Sequence, residues 1–545
     1  MGEVQIKLTK KWYNKGDIFV CGTAFERDKL LDKESIISYF SEVQNWTGFI
    51  EKIKKLNGFF SVIIDKGTEC YVAVDRVRSI PLFYSMKGNN VVISDDPYWI
   101  QSNFIGENYD LISIFEYLLT GYVTGRYTFN KDIHQIQAGG AIRVLKGDRP
   151  QVYTEHYYKF ITGKGEDVVK SEHELIKSLD DVTIRAIERL VNVAGGRTIV
   201  IPLSGGLDSR LIAMTLKRLG YKNIIAFSYG VKDNWESHLS KEIALHLNIP
   251  WHFVEYNREL WKKWYWSEEC QAYIKYASNL VSLAHLQDWP AVMELKSRGI
   301  LPENAIIAPG HTNDFVTGGH IPLDLLEPLN YNINKVIRSI WQHHYNLMPT
   351  TTAAKALEID EQEAIKNLLI RINNYFGQTG PFNSITAVGI YENWEWAERQ
   401  AKYIVNSVRV YDFFGFDWWM PWWDYEVITF WEYVPLRWRR DRLLNRQYVE
   451  KVQERLSLRI KIPPVTQSFL KLESLKLAIK KLDKSGFLRK TYSSLRKVFN
   501  LNRSPAFKIL ALGGAFDLHS EKNITVLGIA TLKQVEEILN INIAE

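Results

Sequence analysis

The sequence predicts an α+β domain built on antiparallel sheets, followed by an α/β domain with a parallel sheet and a helical C-terminal part. Three observations support this prediction. Short β-rich runs separated by turn residues dominate roughly the first 150 residues. Strand and helix patterns then alternate between residues 170 and 320. Residues 330–460 are mostly helical in pattern, with apolar residues recurring at spacings of three and four.

The elements of the first part follow from local β propensity and turn chemistry. Five strands are predicted: Asp17–Ala24, Gly58–Asp65, Glu69–Val74, Leu82–Ser85 and Asn90–Ser94. Helices are expected near Lys33–Phe40 and Asp110–Thr120. The polar, turn-rich stretch Gly147–Gly163 predicts a linker. The predicted domains are therefore residues 1–155, residues 170–460 and a basic helical extension over residues 461–545.

The second part shows the alternation of a doubly wound parallel sheet. Its predicted elements are strands Thr198–Pro202, Ile224–Tyr229, Trp251–Glu255 and Ala305–Ala308, with helices Ser209–Leu219 and Trp235–Leu247. Further on, a helix with one buried face is predicted from Ile390, Trp394, Ala397, Ala401 and Ile404. In parallel sheets of this kind, ligands bind beyond the carboxyl ends of the strands.

Composition excludes several classes of protein. The hydrophobic fraction of 46% and charged fraction of 24% are those of an ordinary globular chain, not a disordered or fibrous one. No apolar window is long enough for a membrane span, and no signal peptide is visible. Three widely spaced cysteines fit a reducing cytoplasm and exclude a disulfide scaffold or a cysteine-rich zinc site. A cytoplasmic protein is expected.

The net charge of +6 comes mainly from one segment, since residues 471–497 contain nine Lys or Arg against Glu473 and Asp483. A nucleic-acid-binding protein would distribute its positive charge differently, so no nucleic-acid partner is expected. Two interpretations of the segment remain open. It is the solvated face of a helix, or it contacts a membrane surface or another polyanion.

The strongest chemical signal is the strand-turn-helix unit Ile199-Val-Ile-Pro-Leu-Ser-Gly-Gly-Leu-Asp-Ser209. Its glycines allow a sharp turn, and successive N–H groups at a helix N-terminus bind anions. It is not a Walker A loop, because no Gly-Lys-Ser/Thr follows. Asp208 would repel a phosphate unless a cation lay between them, so the loop indicates a nucleotide with Mg²⁺ and makes Asp208 a candidate metal ligand.

This unit resembles the pyrophosphate loop of the ATP pyrophosphatases, and within them the chain looks like the glutamine-dependent asparagine synthetase family. The stretch from Ile307 to Gly319 is similar to that family's second synthetase motif, with Gly310, Gly318 and Gly319 matching and Asp314 on its metal-binding aspartate. The resemblance spans roughly residues 15–450.

The resemblance implies a fold and a set of ligand-binding residues. It implies an N-terminal domain of the Ntn-hydrolase type and a synthetase domain of the adenine nucleotide alpha hydrolase type. It implies ATP and Mg²⁺ as cofactors, with Asp208 and Asp314 as metal ligands. The residues it implies for nucleotide binding are Ser204, Gly205, Gly206, Leu207, Asp208, Ser209, Ser228 and Gly310.

The chain departs from the family pattern at two positions of the second motif. His311 replaces a glutamate that contacts substrate and assists amine attack, and Phe315 replaces the glutamate after the aspartate. His311 binds a different carboxylate substrate or acts as a base, or it is an ordinary loop histidine. All three interpretations stay open, and aspartate as the substrate is put in doubt.

Later matches are weaker. Pro421 and Asp424 match a family motif after which the family places a lysine that neutralises the leaving pyrophosphate. No lysine occurs between Pro435 and Arg446, but Arg439, Arg440 and Arg442 are available, and Arg440 and Arg442 are the predicted catalytic arginines. The alternative interpretation is that these arginines lie on the surface of a helix and have no catalytic role. Eight tryptophans between Trp394 and Trp438 fill a core or interface, or else stack on a ligand.

The N-terminal half resembles a glutaminase fold through Leu56–Ile64, Val74–Tyr84 and Ser94-Asp95. The family's nucleophile is a cysteine at the mature amino terminus, whereas here Gly2 follows Met1. Cys21 lies inside an apolar strand and is expected to be buried and structural. The domain is thus expected to lack glutaminase activity. Ammonia would come from solution or a partner, or the nucleophile is an amine of the substrate; a start codon further upstream is a third explanation.

The predicted function is therefore that of an ATP- and Mg²⁺-dependent amide-forming ligase. It would adenylate a small-molecule carboxylate, aspartate or a related acid, release pyrophosphate and transfer the acyl group to ammonia or an amine. One alternative is amidation of a sugar uronic acid in surface polysaccharide assembly. Another is a non-catalytic family member that binds nucleotide. A homodimer is one possible assembly.

Overall fold

A computed structural model describes residues 3–167, 170–327, 330–377, 379–460, 462 and 525–539. The first part of the chain forms two sheets. Their strands are β1 (Val4–Lys7), β2 (Tyr13–Lys15), β3 (Ile18–Glu26), β4 (Lys29–Leu31), β5 (Leu56–Asp65), β6 (Glu69–Val74), β7 (Phe83–Lys87), β8 (Asn90–Ser94), β9 (Ile133–Gln135), β10 (Gly140–Leu145) and β11 (Gln151–His156).

The two sheets stack face to face as a sandwich. One has the strand order β1-β8-β7-β9, and the other has the order β11-β10-β6-β5-β3-β2 with β4 paired to β3. Apolar side chains from both, among them Ile63, Val72, Tyr84 and Ile93, form the core between them. All pairings are antiparallel except that of β1 with β8.

Four helices accompany the sandwich: α1 (Lys33–Ser41), α2 (Trp46–Lys55), α3 (Pro97–Ile100) and α4 (Leu111–Thr120). Asp32 caps α1 and Asn45 caps α2, each accepting a bond from a backbone N–H of the first turn. The apolar faces of α1 and α2 cover the outer face of the larger sheet, as helices on a half-buried antiparallel sheet do.

The second part of the chain contains the predicted parallel sheet. Its strands are β12 (Ile199–Pro202), β13 (Ile224–Gly230), β14 (Trp251–Glu255), β15 (Ile306–Ile307) and β16 (Asp417–Trp418), in the order β14-β13-β12-β15-β16. Every pairing in this sheet is parallel. The four predicted strands are present, and β16 escaped prediction because two residues carry no readable pattern.

Helices surround this sheet and form the C-terminal part. They are α5 (Glu172–Ala194), α6 (Asp208–Arg218), α7 (Trp235–His246), α8 (Arg258–Tyr265), α9 (Glu268–Ser278), α10 (Trp289–Ser297), α11 (Asn313–Val316), α12 (Ile333–His344), α13 (Thr350–Ala356), α14 (Glu361–Tyr375), α15 (Ser384–Glu395), α16 (Arg409–Phe413), α17 (Tyr425–Glu432), α18 (Leu436–Arg439), α19 (Leu443–Arg455) and α20 (Val526–Leu539). Two π-helices, Gln101–Ile105 and Trp396–Ile404, and four 3₁₀ segments, Leu323–Leu325, Val405–Val408, Pro421–Trp423 and Arg440–Arg442, complete the described elements.

Tryptophans and one buried carboxylate join the two parts. The ring of Phe59 lies 4.8 Å from that of Trp419 and 5.4 Å from that of Trp418. Asn57 Nδ2 donates to Asp424 Oδ2 at 2.9 Å, and Arg189 pairs with the same carboxylate. Six of the eight tryptophans between 394 and 438 are buried, namely Trp394, Trp396, Trp419, Trp422, Trp423 and Trp431. These six fill the core and the interface.

Three expectations need correction. The predicted linker Gly147–Gly163 contains strand β11, because Val152 and its neighbours pair with β10 despite their polar surroundings. The helix through Ala397 and Ala401 is a π-helix buried on several sides, so its apolar spacing marks no single face. Cys21 is half-buried rather than fully buried, although it does lie on β3.

Most of the predicted extension 461–545, including the basic segment 471–497, lies outside the described residues. Helix α20 is described, and it packs against α4, with Tyr109 donating to the carbonyl oxygen of Ile538 at 3.0 Å. Cys21, Cys70 and Cys270 are free thiols. In the part of the chain that the structure describes, no helix is long and apolar enough to cross a membrane.

Candidate active site

In the loop between β12 and α6, serine hydroxyl groups accept hydrogen bonds from the loop's own backbone. The Ser204 N–H donates to Ser209 Oγ at 3.0 Å, and the Gly206 N–H donates to Ser204 Oγ at 3.2 Å. Gly205, Leu207 and Ser209 are buried, whereas Ser204 is exposed. The buried Leu207 side chain leaves only its backbone for a ligand. The loop thus presents the N-terminus of the 11-residue helix α6 at the carboxyl edge of the sheet.

A second loop, between β15 and α11, lies directly against the first. A Cβ atom on Gly310 would lie 2.6 Å from the Ser209 nitrogen, so only glycine permits this approach. Asn313 Nδ2 then donates to Asp208 Oδ1 at 2.9 Å. Ser228 lies at the carboxyl end of β13, the strand paired with β12. The two predicted motifs therefore meet at one edge of the sheet.

The close contact between Gly310 and Ser209 can be tested by substitution. Gly310→Ala is expected to separate the two loops, because an alanine Cβ overlaps the backbone of Ser209. The affinity for ATP should fall at least about tenfold, a loss comparable with that of one hydrogen bond to a charged group. Binding of ATP, measured by calorimetry, checks this. Gly147→Ala is the control, since its added Cβ meets nothing within 4 Å; equal affinities for both variants would contradict the prediction.

Asp208 and Asp314 lie close enough to affect each other's ionisation. Burial raises the pKa of Asp208, with Asp314 adding to the increase and Arg442 opposing it. Burial would also raise the pKa of Asp314, but His320 and the arginines Arg442 and Arg399 hold it far below its usual value. Both carboxylates are partly open to solvent. They form a pair of acidic groups from two different strand ends.

Each of these carboxylates has a cationic partner. Arg442 forms an ion pair with Asp208 through Oδ1, and its Nε donates to Thr317 Oγ1 at 2.8 Å. His320 lies between Asp314 Oδ2, at 3.0 Å, and Glu395 Oε1, at 2.5 Å. Burial would lower the pKa of His320, but the carboxylates of Glu395 and Asp314 raise it to about 10. His320 is therefore protonated at neutral pH.

The three candidate arginines have different surroundings. Arg439 is buried, pairs with Glu392 and donates to the carbonyl of Val316, so it is a core residue rather than an available phosphate ligand. Arg440 is 59% exposed and pairs with Asp441. Only Arg442 of the three reaches Asp208. Arg442 and the preceding Asp441 adopt left-handed backbone conformations (φ 58° and 55°) at the kink that precedes α19.

His311 is half-buried beside the acidic pair, and its Nε2 atom has no hydrogen-bond partner among the described residues. Its ring centroid is 6.0 Å from that of His285. Burial lowers the pKa of His311, although Asp288 and Asp314 oppose this shift. The structure therefore leaves all three interpretations of His311 open: a ligand for the substrate carboxylate, a base, or an ordinary loop histidine.

Sequence inspection missed His320, Glu395 and Arg399. His320 follows the glycines of the second motif, and the other two lie at the junction of α15 and the following π-helix. One signal was available, because charged residues inside a tryptophan-rich, buried helical stretch need a partner or a ligand. The π-helix itself is a frequent marker of functional positions.

The carboxylates of Asp208 and Asp314 are available to a metal ion here, but by themselves they do not form a complete coordination shell. Within the described ranges, no group of three or more His, Cys, Asp or Glu side chains could hold a metal ion. Mg²⁺, however, usually takes one or two carboxylates and completes its shell with phosphate oxygens and water. The side chains of Asn313 and Arg442 both donate to Oδ1 of Asp208, so Oδ2 accepts no hydrogen bond from these two residues. The residues therefore fit a magnesium ion that arrives with a nucleotide.

In the N-terminal domain, Cys21 has charged neighbours, Lys10, Asp95, Arg409 and Asp412, which act on the ionisation of its thiol. This residue lies in the middle of β3, opposite Ser61 of β5. Burial raises the pKa of its thiol to about 12, against the effect of the nearby Lys10. A thiol with so high a pKa is a poor nucleophile near pH 7.

Comparison with known proteins gives two family matches. Residues 29–158 match the model of a glutamine amidotransferase domain. Residues 180–263, which include the loop between β12 and α6, match the model of asparagine synthase. The chain combines a glutamine amidotransferase domain with an asparagine synthase domain. The predicted fold class, an Ntn-like sandwich followed by a parallel-sheet synthetase domain with a helical C-terminal part, is confirmed.

No curated protein matches the chain. Among solved structures, the chain is similar to the allosteric regulatory enzyme of purine biosynthesis, with 10% identity and a TM-score of 0.18 over 55% of this chain and 56% of that chain. It is also similar to glutamine phosphoribosylpyrophosphate amidotransferase from B. subtilis complexed with ADP and GMP, with 11% identity and a TM-score of 0.19 over 69% of this chain and 77% of that chain. The chain thus spans little more than half the length of the first of these enzymes.

Proposed function

We propose that the protein is an ATP-dependent amide-forming ligase that activates a carboxylic acid by adenylation. The observation that carries this proposal is the meeting of the Ser204–Ser209 loop, the Asp208–Asp314 pair and Arg442 at one sheet edge beside His311. The match of this region to asparagine synthase supports it. The predicted domain limits of 1–155, 170–460 and 461–545 are part of the same proposal.

The reaction has two steps. A carboxylate oxygen attacks the α-phosphorus of ATP, a new P–O bond forms, and the bond from the α-phosphorus to the pyrophosphate oxygen breaks. The nitrogen of ammonia or another amine then attacks the acyl carbon, AMP leaves, and the amine loses a proton to a base. Catalysis of the first step is mainly a matter of positioning and of neutralising charge on the phosphates.

Each site residue has a place in this proposal. Backbone N–H groups from Ser204 to Ser209 bind the phosphates at the N-terminus of α6, and Gly310 and Ser228 line the same edge. Asp208 and Asp314 would hold Mg²⁺, which neutralises phosphate charge when bound. Arg442 exchanges part of its pairing with Asp208 for the leaving pyrophosphate, and Arg440 is the second candidate. His311 binds the acid or accepts the amine proton.

The amine is proposed to come from solution or a partner rather than from glutamine hydrolysed by this chain. The support is the position of Cys21 inside β3 and the raised pKa of its thiol. The glutamine amidotransferase domain would then act as a structural partner of the asparagine synthase domain, to which Asn57 and Phe59 join it.

Release of pyrophosphate from ATP tests the proposal. Protein with Mg²⁺ and ammonium is expected to release pyrophosphate when the correct acid is supplied from a panel of aspartate, other amino acids and sugar acids. Replacing ammonium by glutamine should abolish amide formation, and Cys21→Ala should leave the ammonium-dependent rate unchanged.

Two results would contradict parts of the proposal. ATP binding without pyrophosphate release for any acid would indicate a non-catalytic nucleotide-binding protein. Amide formation from glutamine that is lost in Cys21→Ala would show that the N-terminal domain is an active glutaminase.

A further inference from the structure

A fully buried arginine contacts the backbone of the loop between β12 and α6. Arg210 is 0% exposed and lies in the first turn of α6. Its Nη2 donates to the carbonyl oxygen of Gly205 at 2.8 Å, and its Nη1 donates to Oε1 of Gln453 at 2.7 Å. Gln453 is buried on α19, and its Nε2 donates to the carbonyl oxygen of Ile460 at 3.0 Å. The Gly205 carbonyl is therefore linked through one guanidinium to helix α19.

Helix α19 supports the loop at both of its ends. Arg442, directly before the first residue of this helix, forms the ion pair with Asp208. Gln453, in the second half of the helix, holds Arg210 and through it Gly205. The start and the end of the glycine turn are thus fixed by the same helix.

Stability alone does not explain a cation at position 210. In the described part of the chain, both hydrogen-bond partners of the Arg210 guanidinium are uncharged, and Glu242, which acts on its ionisation, forms no ion pair with it. The Nε atom of Arg210 is buried without a hydrogen-bond partner among the described residues. Burying a charge in such surroundings is costly. The planar fork of arginine does, however, hold two acceptors in one fixed geometry, which the single ammonium group of lysine does not.

The hydrogen bond to the Gly205 carbonyl determines which way the next N–H group faces. The carbonyl of Gly205 and the N–H of Gly206 belong to one trans peptide group, so they point in opposite directions. Buried Arg210 holds the carbonyl. The Gly206 N–H faces the exposed Ser204, whose Oγ accepts from it at 3.2 Å. Arg210 therefore keeps a hydrogen-bond donor on the open side of the loop.

Without this hydrogen bond, the peptide group between Gly205 and Gly206 would rotate easily. Glycine on both sides permits backbone angles that other residues rarely adopt. Rotation would place a carbonyl oxygen where the N–H now lies. A loop that binds anions does so through N–H groups that face the ligand, so the rotated peptide would repel a phosphate.

We propose that Arg210 is a positioning residue for ATP, which fixes this peptide group so that the Gly206 N–H donates to a phosphate oxygen. The phosphate oxygen takes the place of the Ser204 hydroxyl as the acceptor. Gln453 holds the second arm of the guanidinium and so keeps the first arm on the Gly205 carbonyl. This assignment rests on the nucleotide site of the ligase function proposed above, and it names the residue that prepares that site for phosphate.

Binding of three ligands to the full-length protein, measured by calorimetry, tests the assignment: ATP with Mg²⁺, pyrophosphate with Mg²⁺, and adenosine. Arg210→Met should lower the affinity for ATP and pyrophosphate at least about tenfold, the value of one hydrogen bond to a charged group, and change that for adenosine, which has no phosphate, by less than about twofold. Arg210→Lys should recover part of the loss, because its ammonium group still reaches one acceptor. Gln453→Met should lower the affinity for ATP less, by about threefold.

Arg218→Met is the matched control. Arg218 lies on the same helix α6, but its guanidinium donates to Asp180, at 2.6 and 2.9 Å, and not to the loop. Its affinities for ATP, pyrophosphate and adenosine should equal those of the wild type. The midpoint of thermal unfolding, measured without ligand, shows whether each variant is folded.

The outcomes separate this assignment from the ligase function. Unchanged affinity for ATP in Arg210→Met would overturn the assignment, and so would an equal fall for ATP and adenosine, which indicates a merely structural role. If Arg210→Met does not fold, unchanged affinity for ATP in both Arg210→Lys and Gln453→Met would overturn it. Wild-type protein that binds no ATP would overturn the nucleotide site and both proposals. ATP binding that depends on Arg210, without pyrophosphate release for any acid, would support this assignment and overturn the ligase function.

Discussion

Asp208→Asn is expected to reduce the rate of pyrophosphate release by about 10²–10³-fold, the usual cost of removing one group that stabilises charge at a reacting centre. The substitution keeps the size of the side chain and its ability to accept from Asn313. It removes the negative charge that pairs with Arg442 and that would bind Mg²⁺. The measurement is the initial rate at saturating ATP across a range of Mg²⁺ concentrations.

Asp233→Asn serves as the control, because this residue is exposed and pairs only loosely with His238, at 3.9 Å. Its rate should equal that of the wild type. If Asp208 holds the metal, additional Mg²⁺ should restore part of the lost rate in Asp208→Asn. A rate for Asp208→Asn within about threefold of wild type would be far smaller than the effect of a reacting-centre charge and would remove Asp208 from the site.

Arg439→Met is expected to destabilise the protein by about 3–5 kcal/mol, the usual cost of leaving one member of a buried ion pair without its partner. Arg439 is 1% exposed and Glu392 is fully buried. Among the described residues, Glu392 would then keep one hydrogen-bond donor, the hydroxyl of Thr162, at 2.7 Å. The expected observation is a lower midpoint of thermal unfolding, together with exposure of the loop that carries Arg442.

The matched control is Arg440→Met, one residue along the chain, whose exposed side chain should change stability by no more than about 0.5 kcal/mol. The double variant Arg439→Met with Glu392→Leu should recover part of the loss, because no buried charge is then left alone. The Thr162 hydroxyl and the Val316 carbonyl would still lack their partners, so recovery should be incomplete. Equal midpoints of thermal unfolding for Arg439→Met and Arg440→Met would contradict the expected cost of breaking the buried Arg439–Glu392 pair.

The parallel sheet and its ligand-binding edge could be predicted because their signals are local. The Ile199–Ser209 stretch contains a strand, a glycine turn and a helix start, and the structure has β12 and α6 at that place. Strand β16, of two residues, and β11, inside a polar stretch, could not be predicted. Their pairing depends on neighbours supplied by distant parts of the chain rather than on their own side chains.

The residues of the candidate site also form two groups: those that local motifs predict and those that they do not. Asp208, Asp314 and Gly310 lie in motifs whose glycines and carboxylates show in the sequence. Their assignment to nucleotide and metal remains a prediction until the variants are measured.

His320, Glu395 and Arg399 carry no local pattern. The sequence also could not distinguish Arg439, Arg440 and Arg442, which lie within four consecutive positions, with Asp441 between Arg440 and Arg442.

The sequence by itself determined the order of the two domains, the strand-turn-helix unit and the residue types at the sheet edge, because glycine turns and apolar spacing act over a few residues. Only the tertiary structure decided which arginine is buried against Glu392, which one meets Asp208, and that His285 lies beside His311. The physical reason is that burial and electrostatic pairing depend on segments brought together from far apart in the chain, and a charge is stabilised or destabilised by whatever lies next to it in space.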